Sequence, residues 1–240
     1  MKVSSRDWNS YVKRLAKLSK IAGEKMQNYI DRFGTSNTTE LVNYANALAV
    51  KYGEGAAGLA CQMYDAMTYI DEIDSRPAEP APVATKEETA KAVNGSLKQS
   101  PSGQLVGSAV YRLVKQAAAD TTLKNAVRDG LWFAWVPSGI ETCAFCITLA
   151  SRGWQRASKK TLRKGHAEHI HANCDCQYAI SKSGDMEIEG YNPDEYADFY
   201  FSQGGSPKDA INSMRRQLYK ENKDYINEQK RIAYEKRKGY

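Results

Sequence analysis

Four of the five cysteines and all three histidines fall between Cys143 and Cys176, a window of 34 residues in a chain of 240. The window opens on Cys143-Ala-Phe-Cys146 and closes on His166-Ala-Glu-His169-Ile-His171-Ala-Asn-Cys174-Asp-Cys176. Soft donors gathered into two short knuckles predict a bound metal, with zinc the first candidate. A Cys-x2-Cys turns two sulfurs toward one point while amides of the same turn stabilise the thiolates, and a second knuckle completes a tetrahedron. The expected ligands are Cys143, Cys146, His171 and Cys174, because His-x2-Cys has the knuckle spacing. Cys176 or His169 can replace one of them, and His166 is a further donor in the window. Four protein donors leave no position for water, so the site is expected to be structural. The first thirty residues lack an apolar core and cleavage site of the signal-peptide kind, so a reducing cytoplasm is expected, where disulfides are disfavoured.

An enzymatic use of the same donors competes with a structural one. His166-Ala-Glu168 is shaped like the His-x-Glu of zinc deaminases, but there the Cys-x2-Cys follows it, and here Cys143-x2-Cys146 precedes it. The His-Glu-x-x-His motif of zinc proteases is absent, and His166-x2-His169 is too short for a pair at i and i+4. A zinc-dependent nuclease or toxin-like enzyme would need His166 or His169 as base with Glu168 assisting. The chain shows no complete catalytic constellation, and the expectation is that it is not an enzyme.

The elements that must carry this window are mostly helical. Trp8, Tyr11, Leu15, Leu18, Ala22 and Tyr29 recur at helical spacing, and Gly34 ends that helix. Leu41, Tyr44, Leu48 and Tyr52 predict a second helix, broken at Gly53-Glu-Gly55, and a third is expected from Ala56 to about Ile73. Small residues there suit close packing of helices, and Cys61 reads as a small buried residue. Arg76-Pro-Ala-Glu-Pro-Ala-Pro-Val-Ala-Thr85 should be extended, a linker or an arm lying on a neighbour. Three shorter helices are expected at 87–97, 105–118 and 122–129, the last capped by Asp120 or Thr121. Trp132–Val136 and Gln177–Ile180 read as strands flanking the cysteine window, with Thr142 capping a helix from Cys143. Residues 185–198 carry six acids and no base, a pattern that fits an acidic surface strip better than a calcium loop.

The predicted fold class is mainly α with a small α+β zinc-knuckle domain, an N-terminal helical hairpin or bundle and a long basic C-terminal helix. Its divisions are a helical region over 1–75, a Pro-rich linker over 76–85, a helical region over 86–130, a zinc-binding α+β domain with the acidic segment over 131–204, and a basic helix over 205–240. No stretch approaches the eighteen or so apolar residues of a membrane span.

The net charge is +6, and residues 206–240 account for most of it, with ten Lys or Arg against five Asp or Glu. Ser206 caps and Pro207 starts the last helix, whose apolar stripe is Ile211, Met214, Leu218, Tyr225 and Ile232. Arg215, Arg216, Lys220, Lys223, Lys230 and Arg231 lie between, available to phosphate backbones or to a protein partner. A solvated helix with its stripe in a coiled-coil seam competes with nucleic-acid binding, and a host DNA-binding module is the corresponding alternative function.

The run Trp135-Val-Pro-Ser-Gly139, Thr142-Cys-Ala-Phe-Cys-Ile-Thr-Leu-Ala-Ser-Arg-Gly-Trp154 and His166 to Cys176 resembles the minor head proteins of tailed phages and prophages, the head-morphogenesis group similar to the phage Mu F protein. That resemblance implies a minor capsid structural protein of the virion, acting in head morphogenesis. It would be made in the bacterial host cytoplasm and placed in the head beside the portal or major capsid protein. Packaged DNA is a second implied neighbour, no membrane is implied, and there is room for a homo-oligomer.

Overall fold

A computed structural model of the chain describes residues 2–138, 142–159 and 176–238. The protein is mainly α-helical, with eight helices and five short strands among the described residues. They divide into two compact units, one of residues 1–139 and 154–191, the other of residues 140–153 and 192–240.

The first unit is built on three long helices. Ser4 accepts the Asp7 amide at 3.1 Å and starts α1, Ser5–Phe33, which Gly34 stops in the left-handed region at φ 72°. Asn37 caps α2, Thr38–Ile70, by accepting the Glu40 amide at 3.2 Å. A capping box between Thr85 and Glu88 opens α3, Lys86–Gln99, and α4 follows over Val106–Arg128. Both α1 and α2 pack on α4. Where α1 and α4 cross, a Cβ at Gly107 would stand 2.8 Å from the Gly23 carbonyl oxygen, so the two backbones touch directly.

Two expected breaks are absent. Helix α2 runs straight through Gly53-Glu-Gly55, because Gly53 is a packing position where an added Cβ would meet Val83 at 3.1 Å and Ala117 at 3.6 Å. Close burial there outweighs glycine's cost of about 1 kcal/mol in a helix. Helix α4 likewise continues through Asp120 and Thr121, which cap nothing. The Thr121 hydroxyl donates to the Ala117 carbonyl at 2.7 Å, one turn back, so its polarity is satisfied within the helix.

The same Thr121 oxygen accepts the Ala81 amide at 3.0 Å, and this shows what the Pro-rich stretch does. Residues 76–83 are an arm lying on their own unit. Asn125 clamps Glu79 from both sides, accepting its amide at 3.0 Å and donating to its carbonyl at 2.8 Å. Asp65 accepts the Ala78 amide at 2.8 Å, and Arg128 donates to the carbonyls of Arg76 and Pro77 at 2.9 and 3.1 Å. An extended proline-rich chain cannot satisfy its own backbone, so side chains of α4, with Asp65 of α2, do it instead.

Arg128 also donates twice to the Asp129 carboxylate, at 2.7 Å each, and the Tyr64 hydroxyl donates to it at 2.8 Å. Burial opposes ionisation of Asp129, but the hydrogen bonds from Arg128 and Tyr64 outweigh it and hold the carboxyl below its usual range. Burial and the neighbouring carboxylate push the Tyr64 hydroxyl well up.

The strands follow α4. β2, Trp132–Val136, is the centre of a three-stranded antiparallel sheet between β3, Gln155–Arg156, and β4, Gln177–Ser181. Trp135 stands opposite Tyr178, ring centroids 4.5 Å apart, and all of β4 is buried. Both strands occupy the expected positions. A second pairing was not expected: β1, Lys2–Val3, runs parallel to β5, Glu187–Ile188. Lys2 bridges Glu187 at 3.0 Å and the Ser5 amide donates to Glu189 at 2.7 Å, so two acids of the acidic strip hold the N-terminal residues.

Two substitutions test this unit. Asp129→Asn should destabilise the protein at pH 7 by about 1–3 kcal/mol, because it removes a charge-assisted acceptor from Arg128 and Tyr64. A depressed carboxylate contributes stability above the unfolded aspartate value of about 4, lost as pH falls through the lower folded value. Thermal midpoints measured from pH 7 down to pH 3 should therefore show the gap to wild type closing in acid. Gly107→Ala should gain about 1 kcal/mol of helix propensity yet lower the thermal midpoint, since pushing two backbones apart costs about 1–3 kcal/mol. An unchanged or raised midpoint would mean that the α1–α4 crossing relaxes freely.

Candidate functional site

The cysteine turn lies in the second unit. Cys143 takes extended backbone angles, φ −73° and ψ 158°, and is itself the cap of α5, Ala144–Ala150, one residue later than the expected Thr142. Its sulfur accepts the Cys146 amide at 3.4 Å. Cys143 is half-buried and Cys146 is buried, and both are thiols. An amide directed at the first sulfur of a Cys-x2-Cys is what a thiolate ligand requires, so this half of the predicted knuckle fits a zinc ion. Cys176 lies in the first unit, buried immediately before β4. His166, His169, His171 and Cys174 lie outside the described residues. Among the described residues no group of three or more His, Cys, Asp or Glu could hold a metal.

What holds the cysteine turn is a small apolar cluster. Ala144 and Ile147 of α5 pack with Met214, which is fully buried, and with Tyr196, Phe199, Tyr200, Ile211 and Leu218. Tyr196, Phe199 and Tyr200 come from α6, Pro193–Ser202, which Asn192 caps by accepting the Asp194 amide at 3.1 Å. Ile211, Met214 and Leu218 come from α7, Pro207–Glu221, with Ser206 as cap and Pro207 in the first turn, both as expected. The long C-terminal helix is divided: α7 ends at Glu221 with Asn222 as its C-cap, and α8 runs over Lys223–Lys238.

The structure sorts the six candidate cations. Arg215, Arg216 and Lys220 are exposed on α7, and among the described residues none of them is joined to a carboxylate. Arg231 on α8 is differently placed. Its guanidinium donates to Glu228 at 2.6 and 2.9 Å and to Glu235 at 2.9 Å, and Glu228 raises its already high pKa. Lys223 and Lys230 are exposed on α8. The α7 stripe predicted for a coiled-coil seam is already covered, by α5 and α6.

Four of the six acids of residues 185–198 have local structural roles. Besides Glu187 and Glu189, Asp185 accepts the Ser183 hydroxyl at 2.6 Å and Glu195 accepts the Asn192 amide group at 3.0 Å. A hydrogen bond from the Ser5 amide holds the Glu189 carboxyl below its usual range. No described helix is long and apolar enough to cross a membrane.

The arrangement is that of a mainly helical protein whose cysteine turn is mounted on an apolar cluster beneath a basic helix. The chain belongs to the VG15 protein family, whose model matches residues 2–202, which makes it a member of a phage protein family. The match ends with α6, so α7 and α8 lie beyond it. No curated protein and no solved structure matches the chain.

Because α5 is only seven residues long, its position depends on the cluster more than on its own hydrogen bonds. Met214→Ala should cost about 2–5 kcal/mol, as for other buried methionines cut to alanine. Limited proteolysis should then cleave within residues 192–238 before it cleaves α1, α2 or α4. Equal protection of both units in the variant would mean that Met214 does not hold the second unit.

Proposed function

We propose that this chain is a minor head protein of a tailed phage or prophage, a non-enzymatic structural component that acts in head morphogenesis. The observation that carries this reading is membership of the VG15 family over residues 2–202, to which the cysteine turn adds the metal-knuckle chemistry. In this reading the protein sits in the virion head against the portal or major capsid protein, after synthesis in the host cytoplasm.

A structural zinc belongs to the same proposal. Cys143 and Cys146 would hold it from the α5 turn, and His171 and Cys174 would supply the remaining donors, with Cys176 or His169 as substitutes. Zinc bound by four protein ligands adds folding free energy and binds no water to activate. The chain's own contribution is the amide that Cys146 directs at the Cys143 sulfur and the apolar cluster that fixes the turn.

Two measurements test these statements separately. Mass spectrometry of purified virions, with heads separated from tails, should find the chain in the head fraction. Its absence from virions would overturn the structural reading. Elemental analysis of purified protein should find one zinc per chain, lost in Cys143→Ser, Cys174→Ser together with protease resistance of the cysteine window. A zinc retained in that variant would overturn the ligand assignment. A nuclease activity abolished by His169→Ala, with zinc content unchanged, would replace the structural role with an enzymatic one.

A further inference from the structure

We infer that the outer face of α7 is a binding surface for the phosphate backbone of duplex DNA. The inference deepens the head-protein reading, which would bring packaged DNA within reach of the chain, but it stands on the second unit's own geometry. At 100° per residue, Lys208, Arg215 and Tyr219 form one row along α7, and Arg216 and Lys220 form the next. Ile211, Met214 and Leu218 form the stripe that α5 and α6 cover, opposite Arg216 and Lys220 and flanked by Arg215. All five residues of the two outer rows are exposed. From Lys208 to Lys220 the face extends about 18 Å along the helix axis.

Against these four cations α7 carries two acids, Asp209 and Glu221, and the Arg216 charge reaches Asp209. Asp209 is taken up in the capping box, accepting the Ser206 hydroxyl at 2.6 Å, and a hydrogen bond from that serine holds its carboxyl below the usual range. Glu221 accepts the side-chain amide of Gln217 at 2.9 Å. In α8, by contrast, Arg231 is held by two glutamates. On α7, four exposed cations therefore stand against two acids.

The type of occupant follows from what the face lacks. A protein partner is normally anchored by apolar or aromatic side chains at the centre of its interface, and here the apolar residues of α7 point inward, leaving Tyr219 alone among cations. Single-stranded nucleic acid calls for a series of stacking aromatics, and one tyrosine is not a series. A regular polyanion needs cations on a rigid support and nothing more, and its binding is independent of base sequence. The face also lies outside the residues matched by the family.

The test is fluorescence anisotropy of the full chain on a labelled duplex of about 30 base pairs and arbitrary sequence, titrated between about 50 and 200 mM NaCl. Binding should weaken steeply with salt. The triple variant Arg215→Gln, Arg216→Gln, Lys220→Gln should weaken it at least tenfold and flatten the salt dependence by about 0.9 for each phosphate no longer neutralised. Circular dichroism should be unchanged, since all three side chains are exposed. Arg231→Gln should bind within twofold of wild type. Absence of duplex binding at the lowest salt, a triple variant that binds like wild type, or an equal loss from Arg231→Gln would each overturn the proposal. A triple variant that binds DNA normally but no longer enters virions would assign the face to a head protein instead. Absence of the wild-type chain from virions would overturn the head-protein reading while leaving the DNA result intact.

Discussion

A helix buried on nearly all sides has to find partners for most of the polar groups it carries, and α4 is such a helix. Sixteen of its 23 residues are buried, among them Thr121, Thr122 and Asn125. Its solution is the proline-rich arm. Thr121, Asn125 and Arg128 satisfy an extended backbone that has no ladder of its own, and the arm in turn covers the helices. Each side of this pairing answers a need of the other: the arm's amides and carbonyls would be costly to leave unpaired, as would the side chains of α4.

The second unit works differently. Its core is one small apolar cluster shared by α5, α6 and α7, and that cluster does two things at once. It mounts the Cys143–Cys146 turn on a fixed support, and it consumes the stripe of α7 that a coiled-coil partner would otherwise have used. Charge and apolar surface are thereby separated onto opposite faces of one helix. The Cys143–Cys146 turn and the exposed cations of α7 can then share a scaffold without competing for the same side chains.

Family membership over residues 2–202 covers the three long helices, the sheet and the cysteine window. The basic segment beyond it is attached through Ile211, Met214 and Leu218.

Much of the local structure was legible in the chain. The helix ends at Gly34, Ser206 and Pro207, the strands at Trp132–Val136 and Gln177–Ile180, and the mainly helical class follow from short-range signals: a left-handed glycine, a serine oxygen over free amides, short apolar and aromatic runs. The Cys-x2-Cys could be recognised for the same reason, since four residues suffice to make the turn. What failed were inferences about interruptions. Gly53 and Thr121 look like breaks in isolation, and the expected cap at Thr142 fell to Cys143. Only tertiary contact decided that Gly53 admits Val83, that Thr121 grips Ala81, and that Lys2 and Val3 pair with a strand 185 residues later. The amphipathic stripe of α7 was determined by sequence alone, because helical periodicity is local. Which neighbour covers it, and hence which cations remain exposed, was decided by packing between segments that no local pattern relates.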